Sequence, residues 1–311
     1  MNQDQSKEEA GYHRPVLVAE VVELMAPVLP GVVVDATFGG GGHTRRMLDE
    51  FGDEVNLIGI DRDPEAVAQA AGLRAHVVEG NFGELIDIVA GVTDEPISGV
   101  LFDFGVSSHQ LDEAERGFSY HQEGPLDMRM GRDTDLTADD IVNKWPVDDI
   151  ARIIRTYGEE PLARRIARAI VATRPIDSTA TLSTVIADAM PAARRRAGHP
   201  ARRTFQAIRI AVNGELDAVA SGVAQAVDLV RTGGRVVAIS YHSLEDRIVK
   251  RHFAEKAKGC TCPPDLPVCG CGNTAEVRLL TRKPIRASEE EIAVNSRARS
   301  AVLRAVEKVA S

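Results

Sequence analysis

Four short apolar runs, each ending in an acidic residue, recur between residues 32 and 103 and constrain the fold more than any other feature. Each run has the length of a buried strand rather than of a helix. Helical patterns near residues 43–50, 64–71 and 83–90 separate them. The runs are Val32–Asp35, Leu57–Asp61, His76–Glu79 and Gly99–Asp103. This alternation predicts a parallel, doubly wound α/β sheet.

The strand and helix alternation stops near Gln110 and resumes after residue 213. A turn-rich segment, Glu115–Arg132, opens the interval, and the patterns after it are helical at 148–156, 162–173 and 181–189. Beyond the interval we predict helices at 215–231 and 243–258, a Gly233-Gly234 turn, strands at 235–240 and 277–281, and one or two helices within 289–309. The organisation predicts a sheet domain from residues 12–109 and 214–311, an inserted helical domain at 110–213 and a mobile N-terminus at 1–11.

Charge limits the way in which this chain can bind nucleic acid. The 311 residues have a formal net charge of −9, which argues against attraction of phosphates by the whole surface. Any RNA binding is therefore expected to be local. Basic residues cluster twice, although either cluster alone is typical of a solvated helix face. The clusters are Arg194, Arg195, Arg196, Arg202 and Arg203, and then Arg247, Lys250 and Arg251.

The cellular compartment follows from hydropathy and cysteine usage. No apolar run approaches the roughly 20 residues of a membrane span, and the first residues are polar and acidic. We therefore expect a cytoplasmic protein with reduced thiols. The four cysteines lie close together, so a tetrahedral zinc site and a loop of free thiols both stay open. They are Cys260, Cys262, Cys269 and Cys271.

Four successive glycines, Gly39–Gly42, follow the first predicted strand. Such a turn lets main-chain N–H groups approach a ligand closely, and it suits either a dinucleotide or S-adenosylmethionine. A dinucleotide turn needs a third glycine where Arg45 stands, so that fit is poor. Asp35 also places negative charge where a pyrophosphate would lie, whereas a carboxylate suits the ammonium group of a methionine moiety. The turn therefore favours S-adenosylmethionine.

Two further residues fit a nucleoside bound at the same edge of the sheet. Asp61 ends the second strand, where a carboxylate accepts hydrogen bonds from ribose hydroxyls. Phe82 follows the third strand, where its ring suits the face of an adenine and equally suits the core. Both residues serve either cofactor, so they support a nucleoside site without choosing the ligand.

Several longer segments resemble the MraW family of 16S rRNA methyltransferases, over nearly the whole chain. The segments that carry the resemblance are Asp103–Gln110, Arg116–Ser119, Gly124–Arg129, Arg203–Arg209 and Ser240–Arg247. The resemblance implies a Rossmann-like class I methyltransferase with an inserted helical domain for substrate recognition. It also implies S-adenosyl-L-methionine as cofactor and, as substrate, N4 of a cytidine in the decoding region of the small-subunit RNA. The cofactor contacts that it implies are Gly41, Gly42, His43, Asp61, Phe82, Asp103 and Gln110, to which our own reasoning adds Asp35.

Methylation of a cytosine amine needs a hydrogen-bond acceptor, because the amine lone pair is delocalised into the ring and a proton must leave. We predict Asp103 as that acceptor, with Tyr241 or His242 packing on or bonding to the base. Asp127 is more typical of a turn cap. The base must leave its stack to react, so arginines of the inserted domain are expected to hold single-stranded RNA. The candidates are Arg202, Arg203 and Arg209.

Two other functions remain open. One is a nucleotide-dependent oxidoreductase, which the glycine turn permits but Arg45 and Asp35 disfavour. The other is an RNA-binding assembly factor that keeps the fold without catalysis, since a fold alone does not define an activity. The sequence leaves the oligomeric state undetermined, and it does not distinguish naked RNA from the assembled small subunit as the substrate.

Overall fold

A computed structural model describes residues 15–192, 199–259 and 273–310. The proposed mobile N-terminus at 1–11, the arginines 194–196 and the four cysteines lie outside the described residues. The chain divides into two compact units. One unit combines Met1–Gly105 with Leu216–Ser311, and the other is Val106–Glu215.

The first unit contains a mixed eight-stranded sheet in the order β3-β2-β1-β4-β5-β8-β6, with β7 also paired to β8. The strands are β1 (Gly31–Asp35), β2 (Val55–Asp61), β3 (Ala75–Glu79), β4 (Ile97–Asp103), β5 (Val230–Ser240), β6 (Val277–Leu279), β7 (Ile285–Arg286) and β8 (Val302–Lys308). The pairs among β1 to β5 are all parallel, and β8 is antiparallel to each of its neighbours. The predicted parallel-rich, doubly wound fold is confirmed.

Helices cover both faces of the sheet and form the second unit. They are α1 (Val18–Met25), α2 (Gly42–Phe51), α3 (Pro64–Ala68), α4 (Leu85–Ala90), α5 (Ser108–Asp112), α6 (Val147–Thr156), α7 (Ala163–Thr173), α8 (Thr179–Ala189), α9 (Arg202–Asn213), α10 (Glu215–Leu229), α11 (Ser243–Lys256) and α12 (Glu289–Val294). Within the described ranges, no helix is both long and apolar enough to cross a membrane.

Side-chain alternation along the central strands builds two apolar layers. Val34 and Val100 face one layer, which α4, α10 and α11 cover, while Val33 and Leu101 face the other, which α1 and α2 cover. β1 and β4 are buried on both faces, as their unbroken apolar sequences predict. The polar ends of these strands are thereby fixed at one edge of a rigid sheet.

The C-terminal prediction is wrong in part. Residues 289–309 were expected to be helical, but α12 ends at Val294, a 3-10 turn spans Ser296–Ser300, and β8 follows. Leu303 and Ala305 are fully buried in the sheet, and strands flank β8 on both sides. Pairing on both edges outweighs local helix propensity there.

The expected Gly233-Gly234 turn is also corrected. It lies inside β5, where the ladder partner moves from Val230 opposite Ile97 to Arg235 opposite Gly99. The glycines therefore form an irregularity within the strand rather than its start.

The second unit packs around its own apolar core, formed by α6 to α9 together with part of the turn-rich segment. Its described residues, 106–192 and 199–215, contain helices and turns and no strand. Gly117 in the turn-rich segment has φ +73°, and a Cβ there would lie 2.2 Å from the Pro125 carbonyl oxygen. This position therefore requires glycine.

Candidate active site

Three carboxylates lie at the carboxyl-terminal edge of the sheet, where ligands bind in open α/β folds. Asp35, Asp61 and Asp103 end β1, β2 and β4, which are adjacent and parallel. The sequence predicted this arrangement from the acid at the end of each run.

The glycine turn has a conformation that side chains would prevent. Gly39 and Gly41 have φ values of +51° and +71°, and a Cβ on Gly41 would lie 2.7 Å from the Phe38 ring. A Cβ on Gly42 would lie 3.0 Å from Pro15. Gly41 is also the N-cap of α2, so unbonded main-chain N–H groups of that helix begin here. The conformation of the turn therefore depends on glycine. Because the Gly39 and Gly41 N–H groups already donate to Asp61 and to the Phe38 carbonyl, the main-chain cradle consists of the N–H groups at the start of α2.

Asp61 ties this turn to β2. Its Oδ2 accepts a 2.7 Å hydrogen bond from the Gly39 N–H, and its Oδ1 accepts one of 2.9 Å from the Asp63 N–H. Burial raises the pKa of Asp61 to about 6, although these two main-chain bonds oppose the shift. Asp61 therefore fixes the turn, in addition to its predicted contact with a ribose.

Asp35 is almost fully buried beneath the turn. Its Oδ2 accepts a 2.8 Å bond from the Thr44 hydroxyl, and its Oδ1 lies 3.4 Å from the Thr37 nitrogen. Burial raises its pKa, against the opposing effects of His43 and the two threonines. Asp35 thus combines a negative charge with neutral hydrogen-bond donors.

Asp103 has two hydrogen bonds and a nearby imidazole. Its N–H donates to the Thr37 hydroxyl at 2.6 Å, its Oδ1 accepts from the Tyr241 hydroxyl at 2.8 Å, and its Oδ2 lies 3.7 Å from His43 Nδ1. Burial raises the pKa of Asp103 to about 6, while His43 and the Tyr241 bond oppose that shift. The side chain keeps 19% of its accessible surface, so it remains open to a substrate.

The His43 side chain points into the protein. His43 Nε2 lies 2.9 Å from the Val16 carbonyl oxygen, and because a carbonyl only accepts, Nε2 carries the hydrogen. Nδ1 therefore faces Asp103, and a proton on either group relieves repulsion between the nitrogen lone pair and the carboxylate.

Tyr241 and His242 differ in role although they are adjacent. Tyr241 bonds Asp103, and burial, followed by the nearby Asp103 charge, raises its pKa well above the usual value, so the hydroxyl stays a donor. His242 is the N-cap of α11, and its Nδ1 accepts from the Glu245 N–H at 3.4 Å. In turn, the His242 N–H donates to the Glu245 carboxylate at 3.1 Å. Of the two residues, Tyr241 is the one bonded to Asp103.

Phe82 and Gln110 have structural contacts of their own. The Phe82 ring is half-buried, with its centroid 5.7 Å from those of both Phe102 and Phe104. Gln110 belongs to the second unit, where its side chain accepts from the Ser107 N–H at 3.1 Å and completes a capping box. Their contacts with a cofactor stay predictions.

Sequence reasoning missed Thr37, Thr44 and the Val16 carbonyl. Thr37 bonds Asp103 and Thr44 bonds Asp35, so the two hydroxyls join the turn to two of the acids. The available signal was their position: both threonines flank the glycines in Asp35–Thr44. No sequence pattern marks a main-chain carbonyl such as that of Val16.

The second unit engages several polar residues that the sequence singled out. Asp127 accepts two 2.9 Å bonds from Arg129, as expected for a turn cap. Arg209 forms a two-pronged ion pair with Glu215 at 2.8 and 2.7 Å, and Arg203 lies 3.5 Å from Glu160. The Arg209 guanidinium is 14% exposed, so the ion pair explains this residue without RNA.

The sheet has parallel strands β1 to β5 and an antiparallel strand beside β5, and the glycine turn lies next to the acidic ends of its strands. These features define a Rossmann-like methyltransferase. The chain belongs to the MraW methylase family, whose model matches residues 10–309. The cofactor is S-adenosyl-L-methionine. The main-chain cradle and the uncompensated carboxylates fit a ligand that carries an ammonium and a sulfonium group.

Relatives match almost end to end. Ribosomal RNA small subunit methyltransferase H of Heliobacterium modesticaldum is 50% identical over 310 residues, which covers 96% of this chain and 99% of the relative. The protein of the same name from Symbiobacterium thermophilum is 51% identical, with 96% and 98% covered.

Solved structures match at much lower identity. An rRNA methylase from Streptococcus thermophilus has a TM-score of 0.41 at 10% identity, covering 96% of this chain and all of the other. A SAM-dependent O-methyltransferase from Thermotoga maritima has a TM-score of 0.41 at 8% identity, covering 96% and 68%.

Proposed function

We propose that this enzyme methylates N4 of a specific cytidine in the decoding region of 16S rRNA, within the small ribosomal subunit in the cytoplasm. The names of the relatives support small-subunit RNA as the substrate. The single observation that carries the chemistry is Asp103, a partly accessible carboxylate at the end of β4 that accepts a hydrogen bond from the Tyr241 hydroxyl and lies beside the His43 imidazole. Amine methylation needs such an acceptor.

The residues at the sheet edge divide the binding of the cofactor among them. The main chain of Gly39–Gly42 would hold its methionine part, with Asp35 beside the ammonium group. Asp61 would accept from the ribose hydroxyls, Phe82 would lie against the adenine, and His43 would complete the part of the site that the first unit supplies. When bound, the cofactor supplies an electrophilic methyl group on a positively charged sulfur.

Asp103 accepts a hydrogen bond from the cytosine amine and then its proton. Hydrogen bonding to the N–H directs the nitrogen lone pair away from the ring, which raises its reactivity. With a pKa of about 6, Asp103 is mostly ionised at pH 7, yet basic enough to take a proton from the methylated, positively charged amine. The proton therefore moves from N4 to a carboxylate oxygen of Asp103.

Tyr241 holds Asp103 in position for this step, and His43 lies beside the carboxylate. Tyr241 occupies one lone pair of Oδ1, and His43 lies beside Oδ2, so the carboxylate cannot rotate freely. Each carboxylate oxygen has a further lone pair, which leaves an acceptor for the amine. Pre-set orientation of this kind contributes to the rate because the reacting groups need no further ordering.

Transfer of a labelled methyl group tests the proposal. Small subunits that lack the modification, naked 16S rRNA and subunits already modified are each incubated with the enzyme and labelled S-adenosyl-L-methionine. We expect label in the unmodified subunits alone or in both unmodified substrates, at N4 of one cytidine by nucleoside analysis. Label at another atom overturns the N4 assignment, and RNA binding without transfer indicates an assembly factor.

A further inference from the structure

Three ring systems that were given no role above cluster on the surface of the second unit. The rings of Tyr120 and His199 stack at 4.4 Å and 23°, and the His121 ring lies 4.4 Å from Tyr120 and 4.9 Å from His199. His121 and His199 are exposed, and Tyr120 is half-buried.

The platform, defined as Tyr120, His121 and His199, has a buried support. The Tyr120 ring meets the ring of Phe205 edge-on at 5.8 Å and 81°, and Phe205 is 3% exposed in the core of the unit. His199 Nδ1 accepts a 3.3 Å bond from the Ala201 N–H, which fixes the imidazole at the entry to α9. The rings are therefore oriented before any ligand arrives.

The turn-rich segment that carries two of these rings is itself fixed. A Cβ on Gly124 would lie 2.0 Å from the Ala114 carbonyl oxygen, so the middle of the segment packs against the residue that precedes it. The Gly124 N–H donates to the Thr179 hydroxyl at 2.9 Å, and that hydroxyl donates to the Gln122 carbonyl at 2.7 Å. These bonds anchor the segment on α8 directly after Tyr120 and His121.

The chemistry of the platform suits a nucleobase. Unpaired RNA bases stack on aromatic and imidazole rings, which is the main way that proteins hold single strands. The pKa of His199 is lowered, first by burial and then by His121, so its ring is neutral at pH 7 and presents a flat π face. Arg202 is exposed beside the platform on α9, and none of the described residues pairs with its guanidinium, which suits a phosphate.

We propose that Tyr120, His121 and His199 form a stacking site for an unpaired base of the substrate RNA, outside the reacting nucleotide, with Arg202 contacting the adjoining phosphate. The proposal rests on the function proposed above and adds a second contact with the RNA. Because the chain is acidic overall, local contacts of this kind must supply the affinity for RNA.

The test uses the full enzyme, unmodified small subunits and a single-stranded RNA carrying the fluorescent base 2-aminopurine. Tyr120→Leu keeps apolar bulk against Phe205 but removes the ring, His199→Asn keeps an acceptor for the Ala201 N–H, and Tyr120→Phe is the matched control. We expect about a tenfold to hundredfold higher KM for subunits in Tyr120→Leu, with less in His199→Asn. The kcat and the affinity for S-adenosyl-L-methionine stay unchanged, and Tyr120→Phe behaves as the parent.

Fluorescence separates this proposal from the function itself. Stacking quenches 2-aminopurine in the parent enzyme, and Tyr120→Leu loses that quenching while keeping its melting temperature. Equal KM and equal quenching in parent and Tyr120→Leu overturn the stacking site. If the parent transfers no methyl group to RNA, the proposed function fails, and the quenching measurement still decides the stacking site.

Discussion

Buried carboxylates in this protein have two contrasting environments. At the sheet edge, Asp61 and Asp103 accept from neutral donors, and burial raises their pKa values to about 6. On β8, between β5 and β6, Glu307 accepts from Arg235 at 3.1 Å and from Arg278 at 2.7 Å. Burial acts to raise the pKa of Glu307 as well, but the two arginines outweigh it and lower that pKa.

The contrast shows which acids are available to a ligand. An arginine beside a carboxylate cancels its charge, whereas a hydroxyl or a main-chain N–H leaves the charge in place. No Lys or Arg within the described ranges forms an ion pair with Asp35, Asp61 or Asp103. Their negative charge therefore remains to attract the ammonium and the sulfonium of the cofactor, at some cost in stability.

Replacement of Asp103 by Asn gives the largest expected effect. The amide of Asp103→Asn would still accept from Tyr241 and would donate to His43 Nδ1, but it cannot accept a proton. Methyl transfer should fall about a hundredfold to ten-thousandfold. Because the uncompensated buried charge is gone, the melting temperature at pH 8 should rise. Labelled transfer and thermal unfolding measure the two changes, and near-parental turnover would remove Asp103 from the mechanism.

Asp61→Asn tests whether an uncompensated carboxylate strengthens the binding of the cofactor. An amide oxygen can replace the acceptor for the Gly39 N–H, but it has no charge to strengthen bonds with ribose hydroxyls. The Kd for S-adenosyl-L-methionine should rise about tenfold to a hundredfold, as for lost hydrogen bonds to a charged group. Calorimetry measures it, with Asp127→Asn as a matched control whose carboxylate is already paired with Arg129. Equal weakening in both variants would contradict a specific role for Asp61.

The sequence predicted the sheet and its acidic edge because each depends on local patterns. Apolar runs of strand length, their acidic ends and four glycines are visible without tertiary contacts. β8 was not predictable in that way, because residues 302–308 become a strand only when β5 and β6 flank them.

Side-chain partners were harder to predict than positions. The family resemblance implied a cofactor contact for His43, but nothing local showed that its ring bonds the Val16 carbonyl and faces Asp103. It left Tyr241 and His242 as equal candidates, since both follow β5. The main-chain N–H groups of both donate to Glu245, and only the bond from the Tyr241 hydroxyl to Asp103 distinguishes them.

The pH dependence of activity should follow Asp103. Its carboxyl must be ionised to accept the proton, so below pH about 6 the rate should fall toward a tenfold loss for each pH unit. Transfer rates from pH 5 to pH 8 with saturating substrates measure this. A flat profile across that range would contradict a role for a group with this pKa.

The free energy of unfolding should fall with rising pH over part of the range in which the activity rises. The folded pKa values of Asp61 and Asp103 exceed the unfolded value of 3.8, so the folded state binds protons more tightly. The stability that these groups contribute is complete below pH 3.8 and is lost as the pH rises through about 6. Between pH 5 and pH 7, the free energy of unfolding measured in urea should decline less in Asp103→Asn than in the parent.

Glu307→Gln gives the smallest effect and the opposite sign. Removing this charge leaves Arg235 and Arg278 with one neutral amide oxygen in place of a carboxylate, so unfolding should need about 1 kcal/mol less free energy at pH 7. The contribution of Glu307 is present above its unfolded pKa of 4.5 and is lost as the pH falls through its lowered folded value. Affinity for S-adenosyl-L-methionine should not change. If Asp103→Asn and Glu307→Gln shifted the free energy of unfolding in the same direction, the distinction between uncompensated and paired acids would not hold.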